Sequence, residues 1–126
     1  MGKGNLIDTN TAIDYLAQLL PPSASQLIEA MEVNISIVTR IELLCWPNAT
    51  DNDTDMLLGF ISSCTVINLS EPVVEKTIEI RKKYRLKLGD AIVAATALLN
   101  RLDLYTRNVK DFDRVLELKI FNPYLV

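Results

Sequence analysis

The chain has 126 residues, 49% of them hydrophobic, which is enough for one compact domain with one core; a single domain over residues 1–126 is expected. It contains no histidine, which excludes a Ser-His-Asp triad, a Cys-His dyad, imidazole-ligated zinc and histidine acid/base chemistry. A net charge of −3 provides no overall basic footprint, so a nucleic-acid partner would need a local basic surface.

Residues 5–7 read as a short apolar strand, and residues 9–20 show helical spacing at Ile13, Leu16, Ala17 and Leu20. Pro21 and Pro22 are expected to end that helix, with Ser23 capping a short one over residues 25–31. The β-branched run 33–38 reads as a second strand, and Thr39 as the start of a helix carrying Glu42 on its first turn. Residues 46–55, with Pro47, Asn48 and several Asp and Asn, read as a polar loop before an apolar helix over 56–61. A third strand is expected at 65–69. Ser70, Glu71 and Pro72 then signal a helix over 73–84. Residues 88–99 form the most apolar helix, rich in alanine and suited to close packing on a sheet. Strands at 102–105 and 118–121 complete the set, with a short helical turn at 111–116 between them. Strands alternating with helices imply an α/β fold with parallel pairing and helices on both faces.

No apolar stretch approaches the roughly 20 residues of a membrane span, and the first residues lack an export signal, so a cytoplasmic protein is expected. Cys45 and Cys64 lie in apolar surroundings without the spacing of a zinc site or redox pair, and are expected to be reduced, buried thiols.

Four acids stand where a hydrophobic run stops or a helix turns: Asp8 in NLIDTN, Glu42 in VTRIELL, Asp90 in KLGDAIVAATAL and Asp111 in LYTRNVKDF. In open parallel sheets, ligands bind beyond the carboxyl ends of the strands, where the topology would bring such residues together. Converging carboxylates repel, and a hard divalent cation is the stable occupant of such a site. Each acid also has a purely structural reading. Asp8 and Asp90 fit helix N-caps, Glu42 fits a surface residue paired with Arg40, and Asp111 with Asp113 fits the cap of the last short helix, Asn108 being a turn residue. Basic residues cluster at Arg81, Lys82, Lys83, Arg85 and Lys87, with Arg107 and Lys110 further on. They suit either phosphate binding or a solvated helix C-terminus.

Taken in order and spacing from Leu6 to the KIFNP segment, LIDTN, VTRIELL, DAIVAATAL and LYTRNVKDF resemble the successive motifs of PIN-domain ribonucleases, in particular the VapC-type toxins of type II toxin-antitoxin pairs. The resemblance implies a three-layer α/β/α sandwich with a small, mainly parallel twisted sheet. It also implies Mg²⁺ or Mn²⁺ at an acidic site, endonucleolytic cleavage of RNA that inhibits translation and growth, a cognate antitoxin and a homodimer. Carried over, the catalytic acids are Asp8, Glu42, Asp90 and Asp111. Asp8 and Asp90 are metal ligands, and Glu42, Asn108 and Asp111 act directly or through water. Asn108 matches the family's fourth acidic position, so the chain departs from a full carboxylate quartet unless Asp111 substitutes. Thr9, Asn10, Thr106 and Asn108 match supporting polar positions, and Arg85, Lys87 and Arg107 are candidate phosphate-binding residues. An antitoxin segment would lay apolar anchors in a groove; the surface around Ile13, Leu16, Leu27 and Trp46 suits such a groove, a dimer face or, for most of these residues, ordinary core packing. Two alternatives stand beside this reading. One is a PIN-like RNA- or protein-binding module with an incomplete site. The other is a haloacid-dehalogenase-like phosphatase in which Asp8 attacks phosphate.

Overall fold

A computed structural model describes residues 4–125; the outermost residues of the expected 1–126 domain lie outside them. Five short strands form one layer: β1 (Asn5–Ile7), β2 (Asn34–Ser36), β3 (Thr65–Ile67), β4 (Asp103–Tyr105) and β5 (Ile120–Phe121). β1 pairs with β4 and β4 with β5, while β2 pairs with β3, all in parallel. Ile7 stands opposite Tyr105, and Ser36 opposite Ile67.

The two ladders meet at β1 and β2 through side chains instead of a backbone ladder. Asn5 Nδ2 donates to Glu32 O at 2.9 Å, Asn34 N donates to Asn5 Oδ1 at 3.1 Å, and Asn34 Nδ2 donates to Asn5 O at 2.8 Å. Buried backbone groups require partners, and two asparagines supply them here. The resulting strand order is β3-β2-β1-β4-β5.

Successive strand residues face opposite sides of the layer. Leu6 and Leu104 enter a core built with α5 (Glu71–Lys83), α6 (Leu88–Leu99) and α7 (Val109–Phe112). Ile7 and Ile35 enter a second core with α1 (Thr9–Leu16), α2 (Pro22–Glu29), α3 (Ile37–Leu44) and α4 (Asp51–Ser63). This is the expected three-layer α/β/α arrangement. In α6, Ala91, Ala94, Ala95 and Ala97 are completely buried, as close packing of that helix requires.

Several element boundaries differ from the sequence-based expectation. α1 stops at Leu16 because Gln18, at φ 60°, closes a Schellman motif: Gln18 N donates to Tyr15 O and Leu19 N to Asp14 O. Pro22 begins α2 instead of ending a helix, and Ser23 lies inside it. Helix α3 starts at Ile37, capped by Ser36, which moves Glu42 to its second turn. The expected loop over 46–55 is shorter, since Thr50 and Asp53 form a capping box that starts α4 at Asp51. The last helical turn falls earlier than expected, at Val109–Phe112, placing Asp111 inside it and Asp113 at its C-cap. Cys45 is exposed and Cys64 only partly buried, so the expectation of two buried thiols does not hold.

Candidate active site

A hollow of about 190 Å³ opens where the carboxyl ends of β1 and β4 face α3 and the start of α6; Asp8, Thr9, Asn10, Glu42, Asp90 and Asn108 line it with Gly89, Val93 and Phe112. Asp8 is 6% exposed and is the N-cap of α1, its Oδ1 accepting from Thr11 N at 2.9 Å. Asp8 N donates to Tyr105 O at 3.2 Å, extending the contact of β1 with β4. The capping reading of Asp8 is therefore correct, and it is compatible with a site. Only one carboxylate oxygen is used by the cap, and the residue still borders the hollow.

Glu42 reaches the hollow from α3. Its Oε1 accepts from Thr9 Oγ1 at 2.5 Å, and Thr9 Oγ1 also bonds Thr39 Oγ1 at 3.1 Å. A hydroxyl has one proton, so Thr9 donates to Glu42 and accepts from Thr39. A Cβ at Gly89 would lie 3.9 Å from Glu42 Oε2, which places the carboxylate over the first turn of α6.

Asp90 is the third residue of α6. The N-cap is Lys87, which makes no side-chain cap bond, so Asp90 is not the cap its sequence context suggested. Its carboxyl pKa is raised, first by burial and then by the nearby charge of Asp111, with Glu42 and Asp8 adding to the rise and Lys87 opposing it. Asp111, Glu42 and Asp8 thus all act electrostatically on Asp90.

Asn108 occupies the N-cap position of α7 without a side-chain cap bond, and its N donates to Thr106 Oγ1 at 2.9 Å. Thr106 is fully buried and braces Asn108 from below instead of lining the hollow. Asp111 lines an adjoining groove of about 190 Å³ with Arg85, Leu86, Lys87, Asp90 and Arg114. Arg107 borders neither space. It pairs with Asp14 at 3.8 Å and covers the Tyr124 ring at 5.2 Å, so the sequence-based grouping of Arg107 with Arg85 and Lys87 is not reproduced.

The donors around the hollow are carboxylate, amide and hydroxyl oxygens, which suit a hard divalent cation. Among the described residues no three acidic or cysteine side chains gather into one cluster, so a cation there would be held by fewer carboxylates, with water completing its shell. Asp8, Glu42 and Asp90 stand around the hollow without clasping a common point.

Thr39, Gly89, Val93, Phe112 and Arg114 were not among the site residues expected from the sequence. Thr39 precedes Glu42 by three residues and Val93 follows Asp90 by three, a spacing that places each pair on one helix face. Arg114 carried no such signal.

Beside the acidic hollow, a larger apolar one of about 610 Å³ is lined by Ile13, Leu43, Trp46, Met56 and Leu57, with Glu42 at its edge. Ile13 and Trp46 were expected there. Leu16 packs on the core instead, and Leu27 borders a separate hollow. No helix among the described residues is long and apolar enough to cross a membrane.

The family model of the PIN domain matches residues 6–118. The chain is 33% identical to a chain of a toxin-antitoxin complex from Klebsiella pneumoniae, over 96% of this chain and 98% of the other, with a TM-score of 0.78. A chain of DNA-bound VapBC from Salmonella typhimurium has the same fold at TM-score 0.85 and 22% identity, over 97% and 99% of the two chains. A chain of FitAcB from Neisseria gonorrhoeae also shares it, at TM-score 0.72 and 21% identity, over 96% and 99%. No curated protein matches the sequence. A family match over most of the chain, with acids gathered at the carboxyl ends of a parallel sheet, establishes that the chain belongs to the PIN domain family.

Proposed function

We propose that this protein is a single-domain, Mg²⁺- or Mn²⁺-dependent endoribonuclease and the toxin of a toxin-antitoxin pair. The observation that carries the reading is the gathering of Asp8, Glu42 and Asp90, with Asn108, around one hollow at the carboxyl ends of β1 and β4. When bound, the divalent ion supplies water activation and neutralises charge on the phosphoryl oxygens. Asp8 and Asp90 would hold it directly or through water, since both border the hollow. Glu42, oriented by Thr9, takes the proton from the attacking water or serves as a further holder. Asn108 and Asn10 present amide groups to phosphate oxygens or ordered water. The phosphatase alternative loses its support, since the family is PIN.

A second reading, a non-catalytic RNA- or protein-binding PIN module, is favoured by Asn108 in the fourth position and by the absence of a three-acid cluster among the described residues. Incubating a mixed-structure RNA pool with wild type, Asp8→Asn or Asp90→Asn, in Mg²⁺, Mn²⁺ or EDTA, separates the two. Metal-stimulated cleavage lost in both variants supports the nuclease. RNA or protein binding without cleavage by clean, folded, metal-loaded protein supports the module.

The partner we assign to the apolar hollow is an antitoxin segment, with apolar anchors beside Trp46 and Met56 and a basic side chain reaching toward Glu42. Likeness to a chain of a toxin-antitoxin complex supports this assignment. A homodimer in the cytoplasm completes the proposal. Expression in cells should then arrest translation and growth, and the Asp8→Asn change should relieve the arrest.

A further inference from the structure

The α5–α6 connection concentrates positive charge beside the acidic hollow. Arg81, Lys82, Lys83, Arg85 and Lys87 fall within seven residues of a chain whose net charge is −3. The fold adds Arg114 from beyond α7, and Arg85, Lys87 and Arg114 border one groove with Asp90 and Asp111. Two arginines brace this connection: Arg81 Nε donates to Leu86 O at 3.2 Å, and Arg114 Nη1 donates to Arg85 O at 3.3 Å. The loop is therefore held in shape by contacts to its backbone carbonyls.

The cations of this groove are not paired with its acids. Among the described residues the ion pairs are Lys76 with Glu79 and Arg107 with Asp14, so none of Arg85, Lys87 and Arg114 has a carboxylate within 4.0 Å. Three cations against Asp90 and Asp111 leave the groove with an excess of one positive charge, while the neighbouring hollow is acidic. Asp90 borders both spaces, so they lie side by side. A purely solvated helix C-terminus would not require a third cation from a distant segment.

We propose that this groove is a phosphate subsite, in which Arg85, Lys87 and Arg114 hold the backbone phosphate of a nucleotide flanking the scissile one. The inference rests on the nuclease reading for its substrate and makes Arg114 a binding residue. A single strand entering over the α5–α6 loop thereby places its next phosphodiester at Asp90. Backbone contacts of this kind position the strand without reading its sequence.

The test is binding of a fluorescein-labelled, mixed-sequence single-stranded RNA to the full chain in EDTA, followed by anisotropy across a salt series, with metal-stimulated cleavage assayed in parallel. Arg85→Gln, Lys87→Gln and Arg114→Gln should each weaken binding and lower the slope of log affinity against log salt by about 0.7, the value for one lost single-strand phosphate contact. Lys119→Gln, at the opposite end of α6, should leave the slope unchanged. Thermal melts confirm folding. Lys87→Gln removes no hydrogen bond, so it reports on the groove even if Arg114→Gln destabilises the loop. Cleavage with unchanged slopes in all three variants overturns the subsite and leaves the nuclease standing. Lowered slopes without cleavage support the subsite and overturn the nuclease. Absence of RNA binding by wild type, or an equal slope change in Lys119→Gln, overturns the subsite.

Discussion

Thr9 Oγ1 donates to Glu42 Oε1 at 2.5 Å, and this bond ties the first turn of α1 to the second turn of α3 at the acidic hollow, which both residues line. Thr9→Val keeps the side-chain shape and removes the donor. The expected outcome is a stability loss of about 1 kcal/mol and a fall in kcat on the order of tenfold, a modest share of what misplacing a reacting group costs. A double-mutant cycle with Glu42→Gln checks it. Strictly additive losses would show that the two side chains act separately.

Asp8 has two duties that substitution separates. Asn retains an oxygen able to accept from Thr11 N, whereas Ala does not. Asp8→Asn should melt within a degree or two of wild type while cleavage disappears, and Asp8→Ala should lose cleavage together with about 1 kcal/mol of stability. Denaturant titration beside the cleavage assay measures both. Equal destabilisation by Asn and Ala would contradict the capping geometry.

The raised pKa of Asp90 sets a pH dependence with a definite sign. Because the folded protein binds this proton more tightly than the unfolded chain, stability falls as pH rises from about the ordinary value of 3.8 through the raised folded value. The slope is expected in metal-free protein and should diminish in Asp90→Asn, as followed by urea unfolding in EDTA at several pH values. Protons also compete with a cation for this carboxylate. The acidic limb of cleavage should accordingly move to lower pH as metal concentration rises.

Gly59 lies inside α4 on its exposed side, with nothing within 4 Å of where a Cβ would stand. Alanine there adds helix propensity at no steric cost, so Gly59→Ala should stabilise the protein by up to about 1 kcal/mol. Cleavage should be unaffected. A thermal melt with an unchanged or lower midpoint would contradict the open surroundings of this position.

Much of the architecture was readable because it rests on local chemistry. Hydrophobic runs located all five strands near their places, Ser70 and Pro72 marked the start of α5, and the alanine-rich run matched α6 from Leu88 to Leu99. Errors arose where a non-glycine residue adopts a positive φ, as at Gln18, and where a polar stretch around Thr50 and Asp53 caps a helix while reading as a loop. Asp8, Glu42 and Asp90 were identifiable because a carboxylate after a strand or near a helix start is delivered to the sheet's carboxyl end by parallel topology.

The sequence by itself determined the alternation of strands and helices, the absence of histidine chemistry and the acids around which a site would form. Periodicity and residue type act over a few neighbours and need no knowledge of the fold. The tertiary structure decided that Asn108 enters the hollow while Asp111 faces the adjoining groove, that Thr9 orients Glu42, that Arg107 pairs with Asp14, and that Arg114 joins Arg85 and Lys87. Those assignments depend on how layers pack across segments remote in the chain, and no local pattern encodes the direction in which each side chain then points.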